Sequence, residues 1–357
     1  MSLSLLPHHA EVAFVLGARS EAAKLAPVIH RFGGDGRVIR AGRHEGSRAE
    51  RIGAALAEYD RLFAADAPAA VVVLGGSDTA LAGALAANAR SIPLVRLEAG
   101  LRSHDRTSPA ENNRVLIDHL ADLLCAPTPG NAANLRGEGI GRERIAITGS
   151  TVVEAVLEAL PGPDARAKLL ARSGIEAGRF VLTSLHRAEN TRDPARLAAI
   201  ISELIGIAAE SRRPVLFPLS PRTRAAVHLL YAEGIPTGVV ACDPLEHGEF
   251  LALAKESALL ITDSGAIQEE ATVLGRPLIL VSRATERPEA LDGFVTMVHE
   301  PGPAIGQHAR TLLADVAGVR RRLEALHRPF GDGRAAQRIE ALIRRHVLEK
   351  PTHPRRT

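Results

Sequence analysis

The sequence predicts an α/β protein made of two Rossmann-like, doubly wound domains that face each other across a cleft. Short β-branched runs alternate with longer helical patterns of Ala, Leu and Arg, as in parallel βαβ units. The alternation breaks at residues 160–167, where two prolines and a glycine interrupt it, and then restarts. A chain of 357 residues is also long for a single core. Two domains are therefore expected.

The first domain is predicted over residues 1–163. Its strands are short apolar runs typical of buried parallel strands, at 11–17, 36–42, 69–76, 92–100, 122–128 and 144–150. Helical patterns at 21–32 and 48–66 separate the first of them. A further apolar helical stretch at 79–89 could supply a contact with a second copy of the chain.

The second domain is predicted over residues 168–333. Its strands are expected at 179–186, 213–220, 237–243, 258–265 and 276–282, with a helix over 195–210. A last helix, at 334–350, is expected to pack back near the first domain. The second half thus repeats the architecture of the first without repeating its sequence.

Composition excludes several function classes. The 44 basic and 41 acidic residues leave a formal net charge of +3, and aromatic residues are only 3%, so no nucleic-acid partner is expected. No apolar run reaches about 18 residues and the first ten residues do not form a signal peptide, so neither membrane insertion nor export is expected. Two isolated cysteines indicate a reducing cytoplasm, and no cluster has metal-ligand spacing.

The first candidate ligand-binding turn is GARSEAAKLAP, at 17–27. In parallel sheets ligands bind at the carboxyl ends of strands, and phosphates bind at helix N-termini. Gly17 permits a tight turn, and Arg19 and Lys24 place cations beside the start of a helix. The alternative is an ordinary strand–helix turn with surface charges.

The second candidate turn is TDSGAIQEEA, which follows a buried strand ending at Asp263. Ser264 and Gly265 turn the chain into a helix whose first N–H groups could bind a diphosphate. Glu269 and Glu270 project about 100° apart on that helix, so only one can face the cleft. Such a carboxylate could accept hydrogen bonds from both hydroxyls of a ribose, or it could merely complement the helix dipole.

The third candidate segment is LTSLHRAEN, in which His186, Arg187 and Glu189 follow a predicted strand. A single histidine would more often be structural than functional. The concentration of titratable groups just after a strand favours a functional site as much as a structural turn.

The fourth candidate segment is LEAGLRSHDRTSPAENNR, at 97–114. Glu98 closes a predicted strand, and Arg102, His104 and Asp105 crowd the loop that follows. A loop this rich in charge next to a strand end favours function over mere solvation.

Together these segments closely resemble the hydrolysing and non-hydrolysing UDP-N-acetylglucosamine 2-epimerases. The likeness runs from about residue 11 to about residue 330, through the ordered motifs GARSEAAKLAP, LEAGLR, NNR, TGST, LTSLHRAEN, PRTR, TDSGAIQEEA and TERPE. The resemblance implies a GT-B-type fold, a UDP-sugar bound mainly by the second domain, no cofactor, and a homodimer.

The resemblance also implies roles for individual residues. Arg19 would meet the diphosphate, and Ser264 with the turn after it would hold phosphate. Glu270 would bind the uridine ribose, and His186 with Arg287 would line the sugar–diphosphate pocket. The other substrate-binding candidates within the matched motifs are Lys24, Arg102, Asn113, Arg114, Arg187, Glu189 and Gly265.

The chemistry that the resemblance implies needs carboxylates to move protons. UDP leaves as C2 of the sugar loses its proton, which gives a glycal, and UDP or water then adds back. This sequence has Gly76 where the family has an aspartate, and Ala110 where the family has the first glutamate of its Pro-Glu-Glu motif. The remaining candidates for proton transfer are Glu98, His186, Asp78 and Glu111.

Two interpretations of these departures stay open. In the first, the protein is a 2-epimerase in which Asp78, Asp105 or Glu111 has taken over a lost role. In the second, it is a glycosyltransferase-like or other UDP-sugar enzyme without C2 deprotonation, or a non-catalytic UDP-sugar binder. Under the second interpretation, Gly76 and Ala110 would leave room for an acceptor.

Overall fold

The computed structural model describes residues 11–17, 19–42 and 44–348, apart from the side chains of Arg19, Ser20 and Leu348. The expectation about a signal peptide therefore lies outside the described residues. The chain divides into two compact units. Unit 1 contains the residues up to Ala155 and those from Phe330 onward, and unit 2 contains Val156–Pro329. Unit 2 begins at Val156, before the expected boundary at 163–168, and the end of the chain lies in unit 1.

Unit 1 is built on a six-stranded, wholly parallel sheet with strand order β2-β1-β3-β4-β5-β6. The strands are β1 Val12–Val15, β2 Gly36–Ile39, β3 Ala70–Leu74, β4 Leu94–Leu97, β5 Leu123–Ala126 and β6 Ile145–Ile147. The order reverses between β1 and β3. That switch point is where ligands of doubly wound sheets bind.

Helices join successive strands of unit 1. They are α1 Arg19–Phe32, α2 Arg48–Ala65, α3 Asp78–Ala89, α4 Pro109–Leu120, α5 Pro129–Gly137 and α6 Val152–Ala159, whose last residues belong to unit 2. The helix starts follow the local sequence. Ser47 and Glu50 form a reciprocal capping box on α2, for example.

Unit 2 has a second six-stranded parallel sheet, with order β12-β11-β10-β7-β8-β9. Its strands are β7 Val181–Ser184, β8 Val215–Pro218, β9 Val239–Cys242, β10 Leu259–Thr262, β11 Leu278–Val281 and β12 Val295–Val298. Its helices are α7 Pro163–Arg172, α8 Ala188–Thr191, α9 Pro194–Ser211, α10 Pro221–Leu230, α11 His247–Glu256, α12 Gly265–Leu274, α13 Pro303–Ala314 and α14 Val316–Ala325. Here the order reverses between β7 and β10.

The end of the chain completes unit 1. Helix α15, Ala335–Ile343, packs Ala336, Ile339 and Ile343 into the apolar cluster that contains Phe14 of β1. The Glu154 carboxylate accepts a 2.7 Å hydrogen bond from the Ala336 backbone N–H. The helix expected over 334–350 is therefore present as α15, followed by a π-helical turn over Arg344–Leu348. Residues 349–350 lie outside the described residues.

The predicted fold class is confirmed, since both sheets are parallel and flanked by helices. All eleven predicted strands are present, and β12 is an additional one. The predicted break at 160–167 contains the start of α7. Pro163 occupies the first turn of this helix, where its missing N–H costs nothing.

The helix expected at 79–89 is α3, and packing within the chain accounts for its apolarity. In the single chain α3 already buries Ala80, Ala82, Ala84 and Ala87 almost completely. It packs against α2 and α4. Its uniform apolarity reflects burial on most of its faces rather than an exposed contact surface.

Candidate active site

The site in unit 2 begins where β7 and β10 end, on either side of the switch point. The Asp263 carboxylate is fully buried and accepts hydrogen bonds from the backbone N–H groups of His186 (3.1 Å) and Arg187 (3.0 Å). It also accepts one from the Asn190 side-chain amide at 3.1 Å. Asp263 therefore fixes the turn that follows β7. The His186 side chain is 53% exposed, with its Nδ1 3.2 Å from Asp263 Oδ1.

The next residues form the N-terminus of α12. The Ser264 side chain does not cap this helix, so the first backbone N–H groups are left for an anion. A Cβ atom at Gly265 would lie 2.4 Å from Glu286 Oε1 and 2.9 Å from Arg287 Nη1. A larger residue at this position would therefore have to displace the Glu286 and Arg287 side chains.

Arg287 lies beside this helix start and is 3% exposed. Its guanidinium hydrogen-bonds the carboxylates of Glu269 and Glu286. The predicted diphosphate-pocket arginine is thus held between two acidic side chains. Arg187 and Glu189, two further predicted substrate-binding residues, share a hydrogen-bond partner. The Ser282 hydroxyl contacts Arg187 Nη1 at 2.9 Å and Glu189 Oε1 at 3.0 Å.

Glu269 and Glu270 point to different partners, as their spacing requires. Glu270 Oε1 lies 3.0 Å from Nε2 of His247, the first residue of α11. This hydrogen bond raises the pKa of His247, although burial opposes the change. The sequence analysis missed His247. Its position just after β9, in the run EHGEF, was the available signal.

At the switch point of unit 1, both acidic and basic side chains lie beside the turn that follows β1. The Glu21 carboxylate accepts a 2.8 Å hydrogen bond from the Gly17 backbone N–H, at the end of β1. The Lys24 ammonium lies 2.6 Å from Glu98 Oε1. Arg19 begins α1, but its side chain lies outside the described residues. The turn expected to place cations beside the helix start therefore also holds the buried Glu21 carboxylate, which was not among the candidate residues.

Glu98 follows β4 in an unusual backbone conformation. Its φ is +55°, in the left-handed region that residues other than glycine rarely adopt. The residue is 6% exposed. Such local strain persists only where the surrounding structure enforces it, and it is concentrated at functional sites.

Asp78 is held by two partners. Arg48 binds its carboxylate through Nε at 3.0 Å and Nη2 at 2.7 Å, and the Asn113 amide donates to Oδ1 at 2.9 Å. Burial alone would raise the pKa of Asp78, but the hydrogen bonds from Arg48 and Asn113 outweigh it and lower the pKa overall. Asp78 is therefore a weak base whose oxygens already have donors.

Glu111 is also fully engaged. Its Oε1 accepts from the backbone N–H groups of Ser103 (3.0 Å) and His104 (2.8 Å), and its Oε2 pairs with Arg114 at 2.6 Å. Burial raises the pKa of Glu111, but these donors reverse the shift and lower it. Glu111 orders the loop that follows β4 and precedes α4.

Arg102 belongs to a buried ion cluster. Asp118 accepts from Arg102 Nη1 at 2.7 Å, from Arg96 Nε at 3.0 Å and from the Gly100 N–H at 3.0 Å. The other edge of Arg102 pairs with Glu138 at 2.7 Å. Arg102 is 3% exposed. Its contacts hold the turn after Glu98 in place.

Comparison with known proteins identifies the family of this chain. Residues 38–344 match the sequence profile of the UDP-N-acetylglucosamine 2-epimerases. The chain belongs to the UDP-N-acetylglucosamine 2-epimerase family. A Methanococcus maripaludis protein named UDP-N-acetylglucosamine 2-epimerase is 34% identical over 84% of this chain and 81% of its own length.

One relative of this family member is named for a different substrate. A UDP-2,3-diacetamido-2,3-dideoxy-D-glucuronate 2-epimerase from Pseudomonas aeruginosa is 34% identical over 83% of this chain and 80% of its own length. The crystal structure of the Methanocaldococcus jannaschii UDP-GlcNAc 2-epimerase, in complex with UDP-GlcNAc and UDP, matches with a TM-score of 0.84 and 30% identity. That match covers 93% of this chain and 99% of the other.

The structure explains why this 2-epimerase family member has a glycine at position 76, where the family has an aspartate. A Cβ atom at Gly76 would lie 2.4 Å from the Ala110 carbonyl oxygen and 3.1 Å from Arg114 Cγ. The space beside Gly76 is therefore filled by the backbone at the start of α4. This geometry argues against room for an acceptor at that point.

We expect Gly76→Ala to lower the free energy of unfolding by about 1–3 kcal/mol, because the backbone of α4 must move to accept one methyl group. Chemical denaturation would measure it. Gly53→Ala is the matched control, since Gly53 is exposed in α2 with no atom near its Cβ position. That change should stabilise the helix by up to about 1 kcal/mol. Equal effects at the two positions would contradict the close approach.

Among residues 11–17, 19–42 and 44–348, no group of three or more metal-binding side chains is present. Over the same ranges, no helix has the length and apolarity that crossing a bilayer requires.

Proposed function

We propose that this protein binds a UDP-sugar, chiefly through unit 2, and acts as a UDP-N-acetylglucosamine 2-epimerase. The switch point of unit 2 carries this proposal. It presents the uncapped N-terminus of α12 for the diphosphate, with the exposed His186 imidazole beside it. The Glu270 carboxylate on the same helix suits the two ribose hydroxyls.

The proposed reaction has two steps. A base removes the C2 proton, the C2–H electrons form the C1–C2 double bond, and the C1–O bond breaks to release UDP. UDP, or water in a hydrolysing enzyme, then adds at C1 while a proton returns to C2. We assign the C2 proton to Glu98 and stabilisation of the departing diphosphate to the α12 N-terminus with His186.

Incubation with UDP-N-acetylglucosamine in deuterated water tests this function directly. Proton abstraction at C2 should replace the C2 hydrogen by deuterium, which NMR of the sugar would follow. Nucleotide binding without any exchange would reject the epimerase and favour the second candidate, a UDP-sugar transferase or binder. One observation supports that candidate: Asp78 and Glu111, which could replace the missing carboxylates, are both held by arginines.

Glu270→Ala should weaken UDP binding at least about tenfold, because the ribose loses charge-assisted hydrogen bonds. Isothermal titration calorimetry would give both affinities. Glu249→Ala is the matched control, since Glu249 lies on the neighbouring helix α11 with an exposed side chain. Equal UDP affinity for Glu270→Ala and the parent would remove Glu270 from the site.

We also propose a cytoplasmic homodimer. Free thiols at Cys125 and Cys242 suit a reducing compartment. The homodimer rests on the family likeness alone.

A further inference from the structure

The contact between His247 and Glu270 lies within the proposed nucleotide site. Glu270 Oε1 is 3.0 Å from the imidazole Nε2, and the Glu270 side chain is 11% exposed. Glu270 Oε2 hydrogen-bonds no other residue in the part of the chain that the structure describes. The carboxylate is thus anchored through one oxygen, and the other is left to accept.

Charged groups lie on the segment that carries His247 and on the two elements that pack against α11. They are Glu246 and Glu249 from its own segment, Glu270 from α12, and Glu158, Asp164, Arg166 and Arg172 from the segment 158–172 that packs against α11. Arg166 pairs with Glu256, and Arg172 pairs with Glu249. Within the described ranges, only Glu270 comes within ion-pair distance of the ring. The charge of His247 is therefore coupled mainly to Glu270.

We propose that His247 is a positioning residue for Glu270, and that protonation of His247 strengthens nucleotide binding by unit 2. This inference rests on the proposed function. An unneutralised carboxylate repels a ligand that carries a diphosphate. An imidazolium cancels that charge, fixes Oε1, and leaves Oε2 for the ribose hydroxyls.

The direction of the pH dependence follows from the same contact. The hydrogen bond with Glu270 raises the pKa of His247 above its ordinary value. The ring is protonated below the raised pKa and loses its proton as the pH rises through it. Affinity should therefore be highest on the acidic side and fall towards alkaline pH.

The test is calorimetry with UDP-N-acetylglucosamine, whose phosphates are both diesters and do not titrate near neutral pH. Between about pH 6 and about pH 8.5 the parent should lose about three- to tenfold in affinity. His247→Gln, which retains a hydrogen-bond donor, should bind with an affinity that depends much less on pH than that of the parent, and His186 beside the diphosphate accounts for any dependence that is left. His247→Leu should bind more weakly than His247→Gln at every pH, because the donor is lost.

His228→Asn is the matched control, because His228 is an exposed histidine of the same unit, on α10. It should reproduce the pH dependence of the parent. An unchanged slope in His247→Gln would assign the titration to another group and overturn the proposal.

A second measurement separates this inference from the proposed function. NMR titration of the His247 ring in the ligand-free protein should give a midpoint that falls when Glu270→Gln removes the carboxylate charge. An identical midpoint in both proteins would overturn the pairing. If the parent does not bind UDP-N-acetylglucosamine at all, the proposed function fails, and the role of His247 in nucleotide binding fails with it.

Discussion

Glu98→Gln is expected to slow C2 deuterium exchange on UDP-N-acetylglucosamine at least about a hundredfold, the scale of losing a general base. Gly76 and Ala110 cannot accept a proton, and the carboxylates at 78 and 111 are held by arginines. Glu98 instead pairs with Lys24, whose ammonium can stabilise the carboxylate between proton transfers. The exchange rate from NMR, measured at saturating substrate, gives the result.

Asp78→Asn and Glu111→Gln are the matched comparisons for this prediction. Both replace a carboxylate of unit 1 by an amide of the same shape, and neither should slow exchange as much as Glu98→Gln. Loss of exchange in either comparison, with Glu98→Gln still active, would show that the base has moved. The close approach at Gly76 also makes Gly76→Asp with Ala110→Glu a poor route to added activity, because the aspartate Cβ meets the α4 backbone.

Asp118→Ala should lower the free energy of unfolding by about 3–5 kcal/mol, the usual cost of removing one partner from a buried ion pair. Arg96 is fully buried, and its Nη1 and Nη2 have no partner among the described residues. Without Asp118, its Nε would be unpaired as well. Arg102 and the Gly100 N–H would each lose an acceptor. Denaturation in urea would measure the change.

Asp66→Ala is the control for this prediction. Asp66 also accepts from an arginine, Arg37, but its side chain is 64% exposed. Water can replace that partner, so the loss of stability should be much smaller. Comparable losses of unfolding free energy in Asp118→Ala and Asp66→Ala would show that burial does not determine how much Asp118 stabilises the fold.

The fold was predictable because its strands appear in the sequence as apolar runs, and central strands such as β1, β3 and β10 are buried throughout. Strand β12 was not predicted, although its burial resembles that of β2 and β9, which were. Helix α7 was not predicted because a proline near a glycine suggests a break, whereas proline also occurs in the first turn of helices. Pro109, Pro129 and Pro194 do the same in α4, α5 and α9.

The candidate site was less predictable, because its hydrogen bonds join residues far apart in the chain. The turns that carry His186, Glu98 and Glu270 could be named from local sequence. Their partners could not, since Asp263 is 77 residues from His186 and Glu98 is 74 residues from Lys24. Likewise, nothing local shows that Arg102 pairs inward with Asp118.

The return of the chain to unit 1 bears on how the protein is synthesised. Unit 2 is continuous from Val156 to Pro329, so all of it is synthesised before the last helix of unit 1. Until α15 arrives, the apolar face around Phe14 lacks the residues that cover it. During translation the unit whose synthesis begins first is thus the unit completed last.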